Sequence, residues 1–254
     1  SSAFAQKGRM YAQNTTVMQL DKYTIPADNF LFADALDANN QMRHTASFDI
    51  LLSDDAALRD VLTLFQVYSK ERTGSKMIFI TLNYAGENLQ ERVYENPVVE
   101  EILFPALDAS SATLPFKATI KIRADKVELQ KGGIKPQFVK RNKYAAFCSN
   151  FSLSVGKLPA NRVSKISGMS IKPGNQQTIN LTIELSALDG AAWNQWFLTG
   201  AGGAIQQGNI SLLAPNLKDV LYNISLADVE IVSYSNSAGN RVLIGLRTKG
   251  IRIK

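Results

Sequence analysis

Residues 178–200, TINLTIELSALDGAAWNQWFLTG, decide the fold class. Ile179, Leu181, Ile183 and Leu185 alternate with polar residues, the period of two by which a strand buries one face. Ser186 and Asp189 then offer helix caps, Ala192, Trp193, Trp196 and Phe197 form an apolar run, and Gly200 supplies a stop. The stretch reads as a strand feeding straight into a short helix with an aromatic face. Residues 45–74, TASFDILLSDDAALRDVLTLFQVYSKERTG, repeat that design. Here a helix is expected over 54–70, with Ser53 as cap and Asp54 and Asp55 at its positive end. Leu58, Val61, Leu62, Phe65 and Tyr68 share one face, Lys70 and Arg72 suit the other end, and Gly74 stops it.

Outward from these two units the same order of elements recurs. Before the first, short strand-like runs surround Tyr23 and Phe30-Leu31-Phe32, and residues 37–43 read as a loop. After it, strands are expected at 77–83 and 98–104 and in the alternation over 116–129, with 85–96 a polar connection. Residues 130–143, QKGGIKPQFVKRNK, break the pattern with a glycine pair, Pro136 and the cations Lys131, Lys135, Lys140, Arg141 and Lys143. Past them Phe151, Leu153 and Val155 alternate, Pro159-Ala160-Asn161 turns, and a strand returns over 163–171. Strands at 209–213, 229–234 and 241–254 follow the second helix.

The halves lie over each other. Ile50-x-Leu52-Ser53 corresponds to Ile183-x-Leu185-Ser186, and Ala56-Ala57-Leu58 to Ala191-Ala192-Trp193 after a two-residue insertion. Val99-Glu100 corresponds to Val229-Glu230, and Ile120-Lys121-Ile122-Arg123 to Ile244-Gly245-Leu246-Arg247. Shared order and type of element point to a duplicated unit. The expected fold class is α+β, predominantly β: two tandem barrel or sandwich domains, each with one helix packed on its sheet. The expected divisions are an N-terminal arm at 1–16, domains at 17–130 and 144–254, and a basic linker or arm at 131–143.

Composition narrows the function. An apolar fraction of 45% against 20% charged residues supplies a real core. No run of about 18 apolar residues spans a membrane, and residues 1–13 lack the apolar centre of a secretory signal. The chain begins without Met, which leaves its native start open. One cysteine, Cys148, allows neither an internal disulfide nor a multi-thiolate zinc site, and its apolar context predicts a buried small hydrophobe. One histidine, His44, has no identifiable nucleophile and carboxylate partners for a catalytic set. No GxxxxGK[ST] loop occurs, and the glycines at 200–203 follow a helix where a phosphate loop precedes one. Several Asn-x-Ser/Thr sequons, such as those at Asn180 and Asn209, fall in expected strands and read as accidents of composition. No catalytic, cofactor or metal residues are expected, and no enzyme. The net charge of +6 permits but does not demand a polyanionic partner.

The duplicated unit resembles the tail-tube fold of contractile-tailed phages and related injection and secretion systems. The likeness rests on Asn150-Phe151-Ser152-Leu153-Ser154-Val155 with Arg162-Val163-Ser164-Lys165-Ile166-Ser167-Gly168-Met169, which look like that family's opening hairpin. Residues 178–198 and 45–68 look like its central strand and helix, and 244–253 like its closing strands. The resemblance implies a structural subunit of an inner tube, or of the hub or tube-initiating ring at its base. It implies hexameric rings or trimeric pseudo-hexameric ones stacking into a tube, with sheath or baseplate proteins outside and DNA or effectors in the lumen. The implied location is a virion tail or an assembled injection apparatus, put together in the host cytoplasm. Lys131, Lys135, Lys140, Arg141 and Lys143 are the candidate oligomer or polyanion contacts. The alternative is a nucleic-acid-associated or capsid-type binding protein that uses the same basic linker; there, neutralising Lys135, Lys140 and Arg141 flattens the salt slope of DNA binding.

Overall fold

The computed structural model describes residues 15–53, 55–67, 74–83, 85–133, 136, 144–173, 178–199 and 205–253. They are mostly β, with two helices. The first half holds β1 (Thr15–Leu20), β2 (Tyr23–Pro26), β3 (Asp28–Leu36), β4 (Met42–Leu51), α1 (Ala56–Val67), β5 (Lys76–Leu82), β6 (Asn88–Glu95), β7 (Val98–Leu103), β8 (Leu107–Asp108), β9 (Lys117–Ala124) and β10 (Lys126–Lys131). The second holds β11 (Phe151–Val155), β12 (Val163–Ser167), β13 (Ser170–Ile171), β14 (Ile179–Ser186), α2 (Ala187–Thr199), β15 (Gln206–Leu213), β16 (Val220–Ser237), β17 (Arg241–Thr248) and β18 (Gly250–Ile253). Neither helix is long and apolar enough to cross a membrane.

Both halves follow one pairing scheme. In the first, β3 pairs β4, β4 pairs β9 and β9 pairs β7; in the second, β12 pairs β14, β14 pairs β17 and β17 pairs β16. The remaining strands also correspond: β1-β5-β6-β10 against β11-β15-β16-β18. A β-bulge fixes the residue equivalence. Val99 faces Ile122 and Glu101 faces Lys121, leaving Glu100 extra; Ile231 faces Leu246 and Ser233 faces Gly245, leaving Val232 extra. A bulge commits the ladder to one register, because a one-residue slip would turn every buried side chain outward. The kinks agree too. Asn96 (φ 50°) separates β6 from β7, and Asp228 (φ 52°) bends β16 at the matching place. Asn and Asp tolerate this left-handed backbone better than most other side chains.

This register confirms the match of Ile120 through Arg123 with Ile244 through Arg247, and corrects the other two strand matches. Phe48 faces Ile120 and Ile183 faces Ile244, so Phe48, not Ile50, is the counterpart of Ile183. Val98 and Glu230 occupy equivalent places opposite Arg123 and Arg247, so the match of Val99 with Val229 is two residues out. A two-residue step preserves the buried face, which is why pattern alone could not detect it. The helices also enter differently. Residues 52–55 lie between β4 and α1, whereas α2 begins directly after Ser186.

Further expectations are revised. Asp55, not Ser53, caps α1, accepting a 2.9 Å hydrogen bond from Ala57 N through Oδ1. Ser53 instead bridges Ala145, and its carbonyl accepts the Tyr222 hydroxyl at 2.7 Å. Ser186 Oγ accepts from Leu188 N at 3.4 Å at the start of α2. Residues 85–96 are no mere connection: they contain β6, in which even Glu91 and Arg92 are buried. Their charges masked its strand pattern. The strand expected over 163–171 breaks at Gly168, and that at 229–234 is part of the much longer β16. Asp54, Tyr68, Lys70, Arg72 and Gly200 lie outside the described residues, as do residues 1–14 of the expected arm at 1–16, whose Thr15 and Thr16 open β1 opposite Leu82 and Thr81.

One continuous core joins the halves. In the first, Phe79 of β5 stacks on Phe30 of β3 (4.2 Å) and meets Phe48 of β4 (5.0 Å) and Tyr94 of β6 (5.5 Å) edge-on. Phe65 of α1 closes on Phe48 at 6.1 Å. Leu58, Val61, Leu62 and Phe65 are buried along α1. Along α2 Trp193 is fully buried, while Trp196 and Phe197 are half-buried. Cys148 is buried, its thiol pushed up to about 11 by desolvation, as expected of an inert core residue.

Candidate assembly interface

The halves are stitched together by their own strands. β13 pairs β7 (Ile171 with Ile102, Ser170 with Leu103), and β8 pairs β12 (Leu107 with Ile166, Asp108 with Lys165). Phe104 N donates to Met169 O at 3.0 Å and Ala109 N to Ser164 O at 2.9 Å, extending the seam along both segments. The result is one wall, four strand positions from each half: β3-β4-β9-β7/β8, then β12/β13-β14-β17-β16.

Gly168 is where the second half changes partner, from β14 to β7. Its φ is 85°, and a Cβ there would sit 2.6 Å from Asn180 O. Gly168→Ala combines backbone strain with a clash against backbone, and should destabilise by roughly 1–3 kcal/mol in chemical denaturation. Gly239→Ala, at φ 72° with nothing within 4 Å, carries the strain without the clash and should cost less.

Opposite the core, the wall presents a polar face on which charges are paired. The bulge at Glu100 directs two consecutive carboxylates to this side. Glu100 meets Arg43 and Arg123, and Glu101 meets Lys121 at 2.9 Å. Lys117 reaches Asp28 at 2.8 Å, Arg241 reaches Glu184 at 2.5 Å, and Lys165 reaches Asp108 at 3.6 Å across the seam. Exposed pairs add little stability. Their consequence is a surface on which opposite charges alternate at short range, so its field is weak beyond a Debye length of about 8 Å.

The wall ends in two open edges. At one end, among the described residues, β3 pairs only β4, and Leu31, Phe32 and Leu36 are 67%, 55% and 61% exposed. At the other, again among the described residues, the C-terminal part of β16 pairs only β17 along residues 230–237. β3 is held in place by the buried Arg92, which donates to Asp34 Oδ2 (2.5 Å) and Tyr94 Oη (3.0 Å) and lies 3.8 Å over the Phe32 ring. His44 Nδ1 is 2.7 Å from Asp34 Oδ1. Burial works to raise the Asp34 carboxyl, but the hydrogen bonds with Arg92 and His44 outweigh it and hold the group below its ordinary 3.8. A depressed carboxylate stabilises above its unfolded-state pKa, and that contribution fades as pH falls through the folded value. The protection of β3 amides, measured against the intrinsic exchange rate (which itself slows over this range), should therefore fall as pH drops from about 5 to about 3, and Asp34→Asn should remove that dependence.

Of the cations singled out in sequence, Lys131 ends β10 opposite Gln90 and is exposed. Lys135, Lys140, Arg141 and Lys143 lie outside the described residues. The edges and Arg92 were missed. The available signal was Phe30-Leu31-Phe32: three apolar residues in a row within a strand place apolar surface on both faces. Among the described residues, no group of three or more His, Cys, Asp or Glu is arranged to hold a metal ion.

No family model matches the chain, and no curated protein matches it. Among solved structures it is similar to the tube-terminating cap of the anti-feeding prophage, at 15% identity over 52% of this chain and 96% of that one, with a TM-score of 0.33. A likeness of that size fixes neither fold nor role.

Proposed function

We propose that this chain is a structural subunit of a phage tail or contractile injection machine, not an enzyme. In this reading it forms the inner tube, or the hub or tube-initiating ring at the tube's base. It consists of two copies of one unit, at 17–130 and 144–254. Copies of the chain assemble into hexameric rings, or trimeric rings of six units, within a virion tail or injection apparatus. Sheath or baseplate proteins lie outside, and DNA or effectors pass through the lumen.

One observation carries the reading: a four-strand order used twice and joined through an unbroken antiparallel seam into a single wall. A wall that already extends itself once by repetition is suited to further extension, and closure removes the open edges that strand-rich proteins otherwise have to protect. The charge-paired face supports a lumen role, since a lining without a strong net field neither grips nor repels a passing polyanion.

Purified protein examined by negative-stain microscopy and light scattering should give closed rings or short tubes. A single species at the 27.9 kDa chain mass across the whole accessible concentration range would overturn the proposal.

A further inference from the structure

The two open edges are counterparts of the two edges that the chain joins internally. The C-terminal part of β16 is equivalent to β7, because each carries the bulge and each pairs with the strand bearing Ile244 or Ile120. β3 is equivalent to β12: Leu31 faces Ser47 and Ser167 faces Thr182, at matching places on β4 and β14. Within the chain, the β7 edge of the first half meets the β12/β13 edge of the second. Among the described residues, what remains unpaired is therefore one edge of each kind, at opposite ends of the wall.

From this we infer that a second copy of the same chain occupies each edge, with β3 of one copy lying antiparallel along residues 232–237 of β16 in the next. The inference rests on the ring reading above and names its contact strands. The composition of the edges supports it. Residues 232–239, VSYSNSAG, contain neither charge nor proline, the usual guards of a solitary edge. β3 exposes Leu31, Phe32 and Leu36, which a neighbouring strand would cover. Because the joined edges differ, the contact is head-to-tail, and such contacts generate rings when the rotation closes.

The outer junction differs from the inner one in a specific way. Residues 104–116, which carry β8 between β7 and β9, have no counterpart between β16 and β17, where residues 238–240 make the turn. The junction between copies therefore lacks the β8 extension and is shorter than the seam inside the chain. Association between copies should be the reversible step, and the internal seam should persist until the chain unfolds.

Cysteine cross-linking tests the contact. Ser235 on β16 and Ala33 and Ala35 on β3 are all exposed, and face matching places Ser235 opposite one of the two alanines. Ala33→Cys/Ser235→Cys and Ala35→Cys/Ser235→Cys should be oxidised alongside Ser152→Cys/Ser235→Cys, whose first cysteine lies on β11, outside the wall. One of the first two should give a reducible ladder of chain multiples ending in a closed species, and the β11 pair should give none. Native Cys148 is buried and does not compete. Rings seen by microscopy with no ladder from either alanine pair would overturn the edge assignment and leave the ring reading standing. A cross-link confined to one chain would also overturn the assignment. Absence of any oligomer would overturn both. As an independent check, Leu31→Lys/Leu36→Lys changes only exposed positions and should yield folded monomer; unchanged rings would count against β3 as the contact.

Discussion

Trp193→Ala should destabilise the chain by roughly 3–5 kcal/mol, whereas Trp196→Ala, three residues along the same helix, should cost distinctly less. Trp193 is fully buried at the junction of α2 with the sheet, and its Nε1 donates to Pro159 O at 2.8 Å. Truncation removes a large apolar surface, opens a cavity and takes the donor from the turn leading into β12. Trp196 is half-buried, its ring 6.1 Å from that of Trp193, so solvent already reaches part of its site. Trp193→Phe separates the contributions: it keeps much of the bulk and loses the donor, at a cost of roughly 1–3 kcal/mol. Urea denaturation followed by circular dichroism checks the order of the three. Equal losses for the two alanine variants would contradict the burial argument. A loss of this size is a large part of the roughly 5–15 kcal/mol by which folded proteins exceed their unfolded states.

Phe79→Ala should have an effect of similar size, for a different reason. Phe79 touches the rings of Phe30, Phe48 and Tyr94, which belong to three other strands. Its removal costs roughly 3–5 kcal/mol as a cavity, and each lost aromatic pair adds about 0.5–1.5 kcal/mol beyond burial where the neighbours do not re-pack. Because Phe30 lies on β3, the damage should reach the open edge. Faster amide exchange in β3 at temperatures where β14 remains protected would identify that route; uniform acceleration would indicate global destabilisation alone. Phe79→Leu should recover part of the stability by filling the site with an apolar side chain.

Much of the fold was legible wherever one face of an element is buried. The α1 positions Leu58, Val61, Leu62 and Phe65 are all buried as their spacing requires, and β14 buries Leu181, Ile183 and Leu185. β6 was hidden because Glu91 and Arg92 are polar in sequence but buried in the fold. Arg92 is accommodated by Tyr94, two residues along the same strand, and by Asp34 and Phe32 of β3, about sixty residues away, which no local window connects. The helix entry at Asp55 was read two residues early, since Ser53, Asp54 and Asp55 are all competent caps and only the path of the chain selects among them. Of the basic residues at 131–143, only Lys131 belongs to the described structure, as an exposed strand end.

By itself the sequence determined the predominance of β structure, the placing of one helix in each half and the recurrence of one order of elements, because hydrophobic period and capping chemistry are local. Only the tertiary structure decided the register of that recurrence, through a bulge that no pattern of apolar residues announces. It also decided that the halves exchange β8 and β13 across a seam, and that β3 and the end of β16 remain open among the described residues. Strand pairing is a relation between segments far apart in the chain. Alternation can say that a strand has two faces, but not which strand will lie along each of its edges.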